Sequence, residues 1–300
     1  MPVGGTRYLR PMRYGFVVTG SDPNLAVELA PLIEQHGWDA MFVWEGIWAT
    51  DPWSVLAAAA MRTERIRLGT MLTPLPRRRP WELASQTATV DALSGGRTVL
   101  SVGLGVPQEV EQRFWLFEDD PGRRTRAELL DEGLEMLDHL WQGEPFDYDG
   151  RHYRASRTET MLPAPTVQRP RIPTWVVGVW PRMRSMRRVA RYDGWIPNYA
   201  PPGASVVDAD QQAAAYTPEV AAEAIGWLRA ERERLGVSDR PFDVVQEGRT
   251  SGADAAADDA IVRPWADAGA TWWLEADWSV PEERVADAAR ARIAAGPPRG

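Results

Sequence analysis

Apolar residues along the chain form short continuous runs that alternate with longer segments of helical periodicity. The segment from Arg65 to Gly105 shows this most clearly. It has an apolar run ending in Thr-Pro, a helical stretch from Pro80 to Gly95, and a second apolar run. Proline suits the first turn of a helix and glycine suits its end. Strand, helix and strand with short connections predict a βαβ unit with two parallel, neighbouring strands.

The same alternation predicts eight strands, each followed by a helix. The strands are expected at residues 13–20, 40–46, 66–74, 98–105, 171–179, 193–198, 241–248 and 270–276. The helices are expected at residues 24–37, 51–63, 80–94, 124–143, 182–191, 218–235, 256–268 and 281–295. Continuous apolar runs are typical of strands covered on both faces. We therefore predict a single α/β domain over residues 1–300, a (β/α)8 TIM barrel, with an open doubly wound sheet as the alternative.

The connection after the fourth strand is unusually long. Residues 106–170 contain an aromatic loop, a periodic helix, a segment that predicts a β-hairpin turning at Asp149-Gly150, and a proline-rich return. An excursion from the carboxyl-terminal rim of a barrel often covers or shapes a site. We expect this insertion to lie over that rim, with a purely structural flap as the alternative.

Composition narrows the possible chemistry. All 34 basic residues are arginine, cysteine is absent, and none of the three histidines lies at a predicted strand end. Lysine Schiff bases and cysteine nucleophiles are therefore excluded, and no histidine pattern offers a metal site. An enzyme of this composition would rely on a bound cofactor.

Charge and hydropathy bear on partners and location. A net charge of −8 argues against a nucleic-acid partner. Because the sequence has no apolar run long enough for a membrane and no signal-peptide pattern at its start, we expect a cytoplasmic protein.

In a barrel of this type the site lies at the carboxyl ends of the strands. Three glutamates fall there: Glu45, Glu247 and Glu275. Glu45 is the strongest candidate for acid/base catalysis, and the alternative is that each glutamate caps a helix or pairs with an arginine. Neighbouring side chains suit substrate contacts, namely Trp44, Trp48, Asn198 and Glu247.

Glycines at strand ends mark places where the backbone can approach a ligand phosphate. Gly103, Gly105 and Gly178 have this position, and the helix beginning near Arg182 would add a favourable dipole. Residues 77–79 are all arginine and make the densest positive patch, which either attracts an anionic group or is simply solvated.

Several segments together resemble the luciferase-like monooxygenase family of flavin- and deazaflavin-dependent (β/α)8 oxidoreductases. They are HGWDAMFVWE, the run from DPWSVLAAAA through LSGGRTVLSVGLG, RAELLDEGLEMLDHLWQGEPFDYDGRHY and PAPTVQRPRIPTWVVG. GATWWLEADW is also similar to the last strand of the family.

The resemblance implies a flavin-type ring at the barrel mouth, acting on a small organic substrate. We expect FMN as the cofactor, with coenzyme F420 as the alternative. A non-catalytic barrel that binds a flavin or another small ligand is the alternative function. The resemblance also implies self-association, which we expect to give a homodimer or a higher homo-oligomer.

Site residues follow from the same resemblance. Thr70 and Met71 match a bulge behind the ring that often has a non-prolyl cis peptide. The segment from Gly103 to Gln108 matches the vicinity of ring and substrate, and the phosphate side matches Gly178, Val179, Trp180 and Arg182. Gly46 stands where many relatives have histidine, and Gln108 where some deazaflavin-dependent relatives have glutamate, so their proton chemistry is not expected here.

Overall fold

The computed structural model describes residues 12–157, 159–160, 162–201, 203 and 215–298. The main sheet consists of β1 (Arg13–Val18), β2 (Ala40–Val43), β3 (Arg67–Thr70), β4 (Thr73–Pro74), β5 (Thr98–Gly103), β8 (Thr174–Trp180), β9 (Gly194–Tyr199), β10 (Asp243–Gly248) and β11 (Trp272–Glu275). A separate hairpin consists of β6 (Tyr148–Asp149) and β7 (Arg154–Ala155).

The helices lie between the strands. In chain order they are α1 (Pro23–Gln35), α2 (Pro52–Ala60), α3 (Pro80–Ser94), α4 (Arg123–Leu140), α5 (Met183–Val189), α6 (Pro218–Arg234), α7 (Ala255–Ala268) and α8 (Glu282–Ala294). Short 3-10 turns lie at Leu75–Arg77 and Gln112–Trp115. Each of these helices falls within two or three residues of its predicted bounds.

Pairing of β3 with β5 closes the sheet. Leu68 lies opposite Thr98 and Gly69 opposite Val99, while the rest of the sheet runs from β3 through β2, β1, β11, β10, β9 and β8 back to β5. β4 continues the third barrel strand beside β5, so eight parallel strands form the barrel. The predicted (β/α)8 barrel is confirmed, and the open sheet is excluded.

Helix boundaries follow local capping chemistry. The side chains of Asp22, Asp51, Thr217 and Asp254 accept backbone N–H groups at the starts of α1, α2, α6 and α7. These bonds satisfy donors that a helix leaves unpaired in its first turn. Gly95 ends α3 in the left-handed region with φ +66°, where glycine has no steric penalty.

The strands separate two apolar cores. Side chains inside the barrel include Phe42, Trp175 and Trp272, whose rings lie 5.3 Å apart in the pairs Phe42–Trp175 and Trp175–Trp272. A larger cluster fills the space between strands and helices. Because successive side chains of a strand point to opposite faces, alternate residues enter each core. This alternation decides which strand-end residues reach the barrel opening.

The third barrel strand is interrupted between β3 and β4. Its Met71–Leu72 peptide is cis, one bond later than the expected Thr70–Met71. Thr70 still pairs with Val43 in the ladder, and the Met71 N–H donates to the Val43 carbonyl at 2.8 Å. The regular register therefore extends one residue further than predicted before the bulge begins.

Residues 106–170 contain the predicted long helix and hairpin. α4 packs against α3, and Arg188 of α5 donates to Asp131 of α4 at 2.5 Å, so α4 lies between these two helices. The hairpin does not turn at Asp149-Gly150, because Asp149 still pairs with Arg154. Its four-residue loop is held by Glu132, which accepts the backbone N–H groups of residues 151–153. A covering role for this region stays a prediction.

None of the helices in the described ranges combines the length and the apolar character needed to cross a membrane.

Close packing inside the barrel predicts a stability difference between two glycines. A Cβ at Gly194 would lie 2.3 Å from Cδ1 of Trp175, whereas one at Gly226, on α6, would meet nothing within 4 Å. We expect Gly194→Ala to lower the free energy of unfolding by about 1–3 kcal/mol through overpacking. Gly226→Ala should instead raise it by up to about 1 kcal/mol. Urea unfolding of both variants measures this, and equal midpoints would contradict the packing described.

Candidate functional site

Five of the predicted site residues lie on the strand faces that point into the barrel, and they meet at its carboxyl-terminal opening. Ile196, Val245 and Trp272 belong to the interior core, and the residues two positions on along a strand share their face. By this phase the carboxyl-terminal opening of the barrel, called the mouth from here on, is faced by Met71, Gly103, Val179, Asn198 and Glu247.

The floor of the mouth is apolar. Met71 and Val177 pack on the interior core and remain partly exposed, as does Leu72. A Cβ at Gly103 would lie 3.1 Å from Leu72 and 3.2 Å from Val177. Glycine at this strand end therefore lets the two apolar side chains approach each other.

Three residues expected to contact the cofactor are turned away from the mouth. A Cβ at Gly178 would lie 2.5 Å from Cγ2 of Val189 on α5, so its open side faces the helices. Trp180 is 7% exposed and its ring lies 6.1 Å from that of Trp227 on α6. Thr70 is fully buried, with its hydroxyl 3.0 Å from that of Thr73. Sequence spacing locates a strand but not which face each of its residues takes, and contact of these three residues with a cofactor stays a prediction.

The segment after β2 forms one side of the rim. The Trp44 indole donates to the Gly20 carbonyl at 3.3 Å, and Trp48 is 47% exposed. A Cβ at Gly46 would lie 2.8 Å from Cζ3 of Trp44 and 3.0 Å from Cβ of Ala49. Glycine at this position thus allows the Trp44 ring to fold over the turn.

Glu45 is an ion-pair partner inside the wall of the barrel. Its side chain has no exposed surface, and its two oxygens accept hydrogen bonds from Arg78 Nε at 2.6 Å and Thr73 Oγ1 at 2.7 Å. Burial raises the pKa of Glu45, although Arg78 and Thr73 oppose that shift. The arginine-pairing alternative describes Glu45 better than the catalytic role, since both oxygens are engaged away from the mouth.

The arginine run 77–79 is not a free anion patch. Arg77 donates to Glu118 at 2.6 Å, Arg78 to Glu45 at 2.6 Å, and Arg79 to Glu82 at 3.5 Å. Each guanidinium therefore has a carboxylate partner, and the expectation that this run attracts an anionic ligand is not supported.

A loop tether lies beside the mouth. Gly105, with φ +78°, turns the chain after β5, and its carbonyl accepts from Arg126 at 2.8 Å. Arg126 also pairs with Asp120 at 3.0 Å, and the ring of Trp115 lies within 4.5 Å of the Arg77 guanidinium and 5.5 Å of that of Arg126. These contacts fix the loop.

Gln108 belongs to the same loop. Its backbone N–H donates to Asp120 at 3.2 Å, and its side chain is partly exposed. The residue is therefore held at the rim through its backbone.

Glu247 and Glu275 end neighbouring strands on opposite faces. Glu275 faces the helices, where Thr250, Trp273 and Arg292 surround its carboxylate. Glu247 faces the mouth and accepts from the indole of Trp278 at 2.8 Å. Burial raises its pKa, and the bond from Trp278 offsets part of this shift.

Two arginines of the rim were not identified together from the sequence. Arg182 precedes α5, and its N–H donates to the Val179 carbonyl at 2.8 Å. Arg123 begins α4, and its pKa is lowered by burial and then by the nearby charges of Arg182 and Arg126. Within the described residues neither Arg123 nor Arg182 forms an ion pair with a carboxylate. The two arginines are 59 residues apart in sequence (182 − 123), so only the fold brings them together.

Two other kinds of site find little support. No group of three or more histidine, cysteine or acidic residues in the described ranges can hold a metal ion. A groove of about 610 Å³ is lined entirely by residues of α7, including Asp259, Arg263 and Pro264, and is an open outer surface rather than a part of the mouth.

Together the fold and the mouth define a (β/α)8 barrel with an apolar floor and a polar rim. A sequence profile described as luciferase-like monooxygenase matches residues 11–296. The chain belongs to the luciferase-like monooxygenase family.

Individual relatives match smaller parts of the chain. An F420-dependent glucose-6-phosphate dehydrogenase of Nakamurella multipartita is 32% identical over 160 residues, or 49% of this chain and 46% of the relative. A 4-hydroxyprotoasukamycin monooxygenase of Streptomyces nodosus subsp. asukaensis is 38% identical over 122 residues, or 37% of this chain and 32% of the relative. The matches thus span half or less of these two relatives.

A solved structure matches almost the whole fold. The F420-dependent secondary alcohol dehydrogenase in complex with an F420-acetone adduct has a TM-score of 0.70 at 15% identity, covering 95% of this chain and 99% of that one. At this identity the likeness concerns the fold alone.

The buried pair of Glu45 and Arg78 predicts a pH-dependent stability effect. Arg78→Gln leaves the carboxylate without its cation, and we expect a loss of about 3–5 kcal/mol in the free energy of unfolding at neutral pH. Because burial raises the pKa of Glu45 above 4.5, its protonated form is tolerated. A raised pKa means that the protonated Glu45 side chain stabilises the folded state. This stabilisation is fully present below pH 4.5 and is lost as pH rises through the pKa of Glu45 in the folded protein. The loss should therefore shrink at acidic pH.

Urea unfolding at neutral and acidic pH measures this effect. The matched control is Arg79→Gln, because Arg79 is the adjacent arginine and forms an exposed pair. It should change stability by no more than about 0.5 kcal/mol. Equal effects of the two substitutions would show that Glu45 does not depend on Arg78.

Proposed function

We propose that the protein is a cytoplasmic oxidoreductase that binds coenzyme F420 at the mouth and acts on a small organic substrate. Bound there, a deazaflavin supplies hydride acceptance or donation. The observation that carries the proposal is the combination of an apolar floor with two arginines at the adjoining rim.

The floor suits a planar ring. Met71, Leu72 and Val177 present partly exposed apolar side chains, and Gly103 has no side chain to obstruct the space between them. Large planar ligands favour such apolar walls with a few placed polar groups. On this reading these residues hold one face of the ring and exclude water from it.

The rim suits a phosphate or another anionic group. Arg123 and Arg182 lie near enough for their charges to interact, and the described residues supply neither with a carboxylate partner. Bringing like charges together is unfavourable unless an anion lies between them, and guanidinium groups bind phosphate through several N–H donors. We infer that these two arginines hold the anionic part of the cofactor.

Other side chains near the mouth contact the substrate, stabilise a strand or hold a loop in place. Asn198 and Glu247 lie on neighbouring strands and face the space above the floor, where they suit the polar end of a substrate. Glu45 and Thr73 stabilise β4, next to the bulge, rather than touching the substrate. The tether through Arg126 keeps the loop after β5 beside the opening.

The preference for F420 over FMN rests on the relatives. The sequence led us to expect FMN, but the dehydrogenase relative and the secondary alcohol dehydrogenase both carry F420 in their names. The monooxygenase relative leaves FMN as the alternative, because oxygen activation is chemistry that a reduced flavin supplies. A non-catalytic barrel would bind either cofactor without turnover.

Cofactor binding is the first test of the proposal. Titration of the purified protein with F420 and, separately, with FMN is followed by quenching of tryptophan fluorescence. We expect micromolar binding of F420 and weaker binding of FMN. Tight binding of FMN alone would replace the cofactor in the proposal, and binding of neither would reject it.

The arginine pair predicts a charge effect on that affinity. Arg182→Gln and Arg123→Gln should each weaken F420 binding by about tenfold or more, since a hydrogen bond to a charged group contributes roughly 1.5–3 kcal/mol. Arg184→Gln is the matched control, because Arg184 is the exposed arginine two residues further along. The same titration measures all three variants. An equal loss of F420 affinity in Arg184→Gln would show that the affinity depends on net charge and not on these two arginines.

We also propose that the chain forms a homodimer through α2 and α3. Met61 at the end of α2 is 68% exposed and Leu93 on α3 is 44% exposed. Burying such side chains between two copies is favourable. Sedimentation equilibrium should give twice the chain mass of 33.5 kDa, and Met61→Glu with Leu93→Glu should shift the protein to the monomer. A monomeric wild type would reject this arrangement.

A further inference from the structure

Three glutamates lie at strand ends, and they differ in how they are paired. Glu45 is neutralised by Arg78, and Glu275 by Arg292 at 3.3 Å. Glu247 has no cationic partner within the described residues, where the indole of Trp278 is the one group that bonds to its carboxyl. Glu247 is also the one of the three that faces the mouth.

No neighbouring cation in the described part of the chain compensates the negative charge of the Glu247 carboxylate. Trp278 is 50% exposed and bonds to one carboxyl oxygen, which leaves the other oxygen available. Arg249, two residues further along the chain, bonds instead to Asp277 at 3.3 Å and to Ser279 at 3.2 Å. Asn198, on the neighbouring strand, is neutral and accepts the N–H of Tyr199. Burial therefore acts on Glu247 without an opposing charge, and it raises the pKa of this carboxyl.

We propose that Glu247 is the acid/base residue of the site, exchanging a proton with the oxygen of an alcohol or ketone substrate. This inference rests on the proposed function. A partly buried carboxyl that faces the mouth and is held by a single neutral donor is suited to give and take a proton. It also disfavours an anionic group at the reacting end of the substrate, so the substrate is neutral there.

The step balances in both directions. In oxidation, the hydroxyl proton of the alcohol passes to the Glu247 carboxylate. The hydrogen on the carbinol carbon leaves with two electrons as hydride to the oxidised deazaflavin, and a C=O bond forms. In reduction, hydride from the reduced deazaflavin reaches the carbonyl carbon while the Glu247 carboxylic acid donates its proton to the oxygen.

The first test needs no turnover. The side-chain carboxyl carbons of glutamate are labelled with ¹³C, and their chemical shifts are followed against pH in the wild type and in Glu247→Gln. We expect one resonance to titrate at higher pH than those of exposed glutamates, and to be missing in the variant. A Glu247 resonance that titrates with the exposed glutamates overturns the proposal.

The second test measures proton transfer in the F420-bound protein, with cyclohexanol as the probe for oxidation and cyclohexanone for reduction. Glu247→Gln should slow both directions by about 10²–10⁴-fold, in the range of lost general acid/base catalysis, while F420 affinity stays within twofold. Glu247→Asp should recover part of the rate. The control is Glu82→Gln, an exposed carboxylate on α3, which should keep the full rate.

The pH profile separates a proton-transfer role from a structural one. Oxidation requires the carboxylate and should rise with pH through the pKa of Glu247, whereas reduction requires the acid and should fall. Both limbs should vanish in Glu247→Gln. An unchanged rate or profile in the variant, or no turnover of either probe by the F420-bound wild type, overturns the assignment. Failure to bind F420 at all rejects the proposed function instead. The ¹³C titration, which needs no cofactor, then decides whether Glu247 differs from the exposed glutamates.

Discussion

The pairing of β3 with β5 is the constraint on which the rest of the structure depends. Once the sheet closes, every strand has an inside and an outside, and each side chain is assigned to one of them by its phase. Glu247 and Glu275 end adjacent strands, yet one reaches the mouth and the other reaches Thr250 and Arg292 among the helices. Chemistry at the mouth is therefore decided by closure and phase more than by residue type.

Closure also explains the distribution of charge. Some arginines are neutralised by carboxylates, as with Arg78 and Glu45 or Arg126 and Asp120, whereas Arg97 and Arg232 donate to backbone carbonyls. Such pairs are stable only when both partners are present, because a single buried charge is costly. Glu247 and the pair of Arg123 and Arg182 depart from this pattern, and they lie where a ligand can complete them.

Much of the fold was predictable from local signals. Proline at the start of α3 and glycine at its end bounded that helix to the residue, and the apolar runs located all eight barrel strands. The third strand was harder, because its register continues through Thr70 before the cis peptide, and a single sequence carries no signal for that bond. The hairpin loop was also misjudged, since its four residues are held by Glu132 from another element.

The site was less predictable than the fold. Met71, Gly103, Val179, Asn198 and Glu247 reach the mouth as expected of strand ends. Gly178 and Trp180 do not, because β8 places them toward Val189 and Trp227. The partners of Glu45 and Glu247 lie 33 and 31 residues away in sequence, and such pairs are fixed by tertiary contacts alone.

Gly46 limits which side chains the rim can accept after β2. The resemblance to the family sets histidine against glycine at this position, and here the space for any side chain is taken by Trp44 and Ala49. A histidine at this position would collide with the indole, so Trp44 would have to change at the same time. The side chains at positions 44 and 46 are therefore coupled by packing. A proton-transferring side chain is therefore accommodated more readily elsewhere on the rim than at this position.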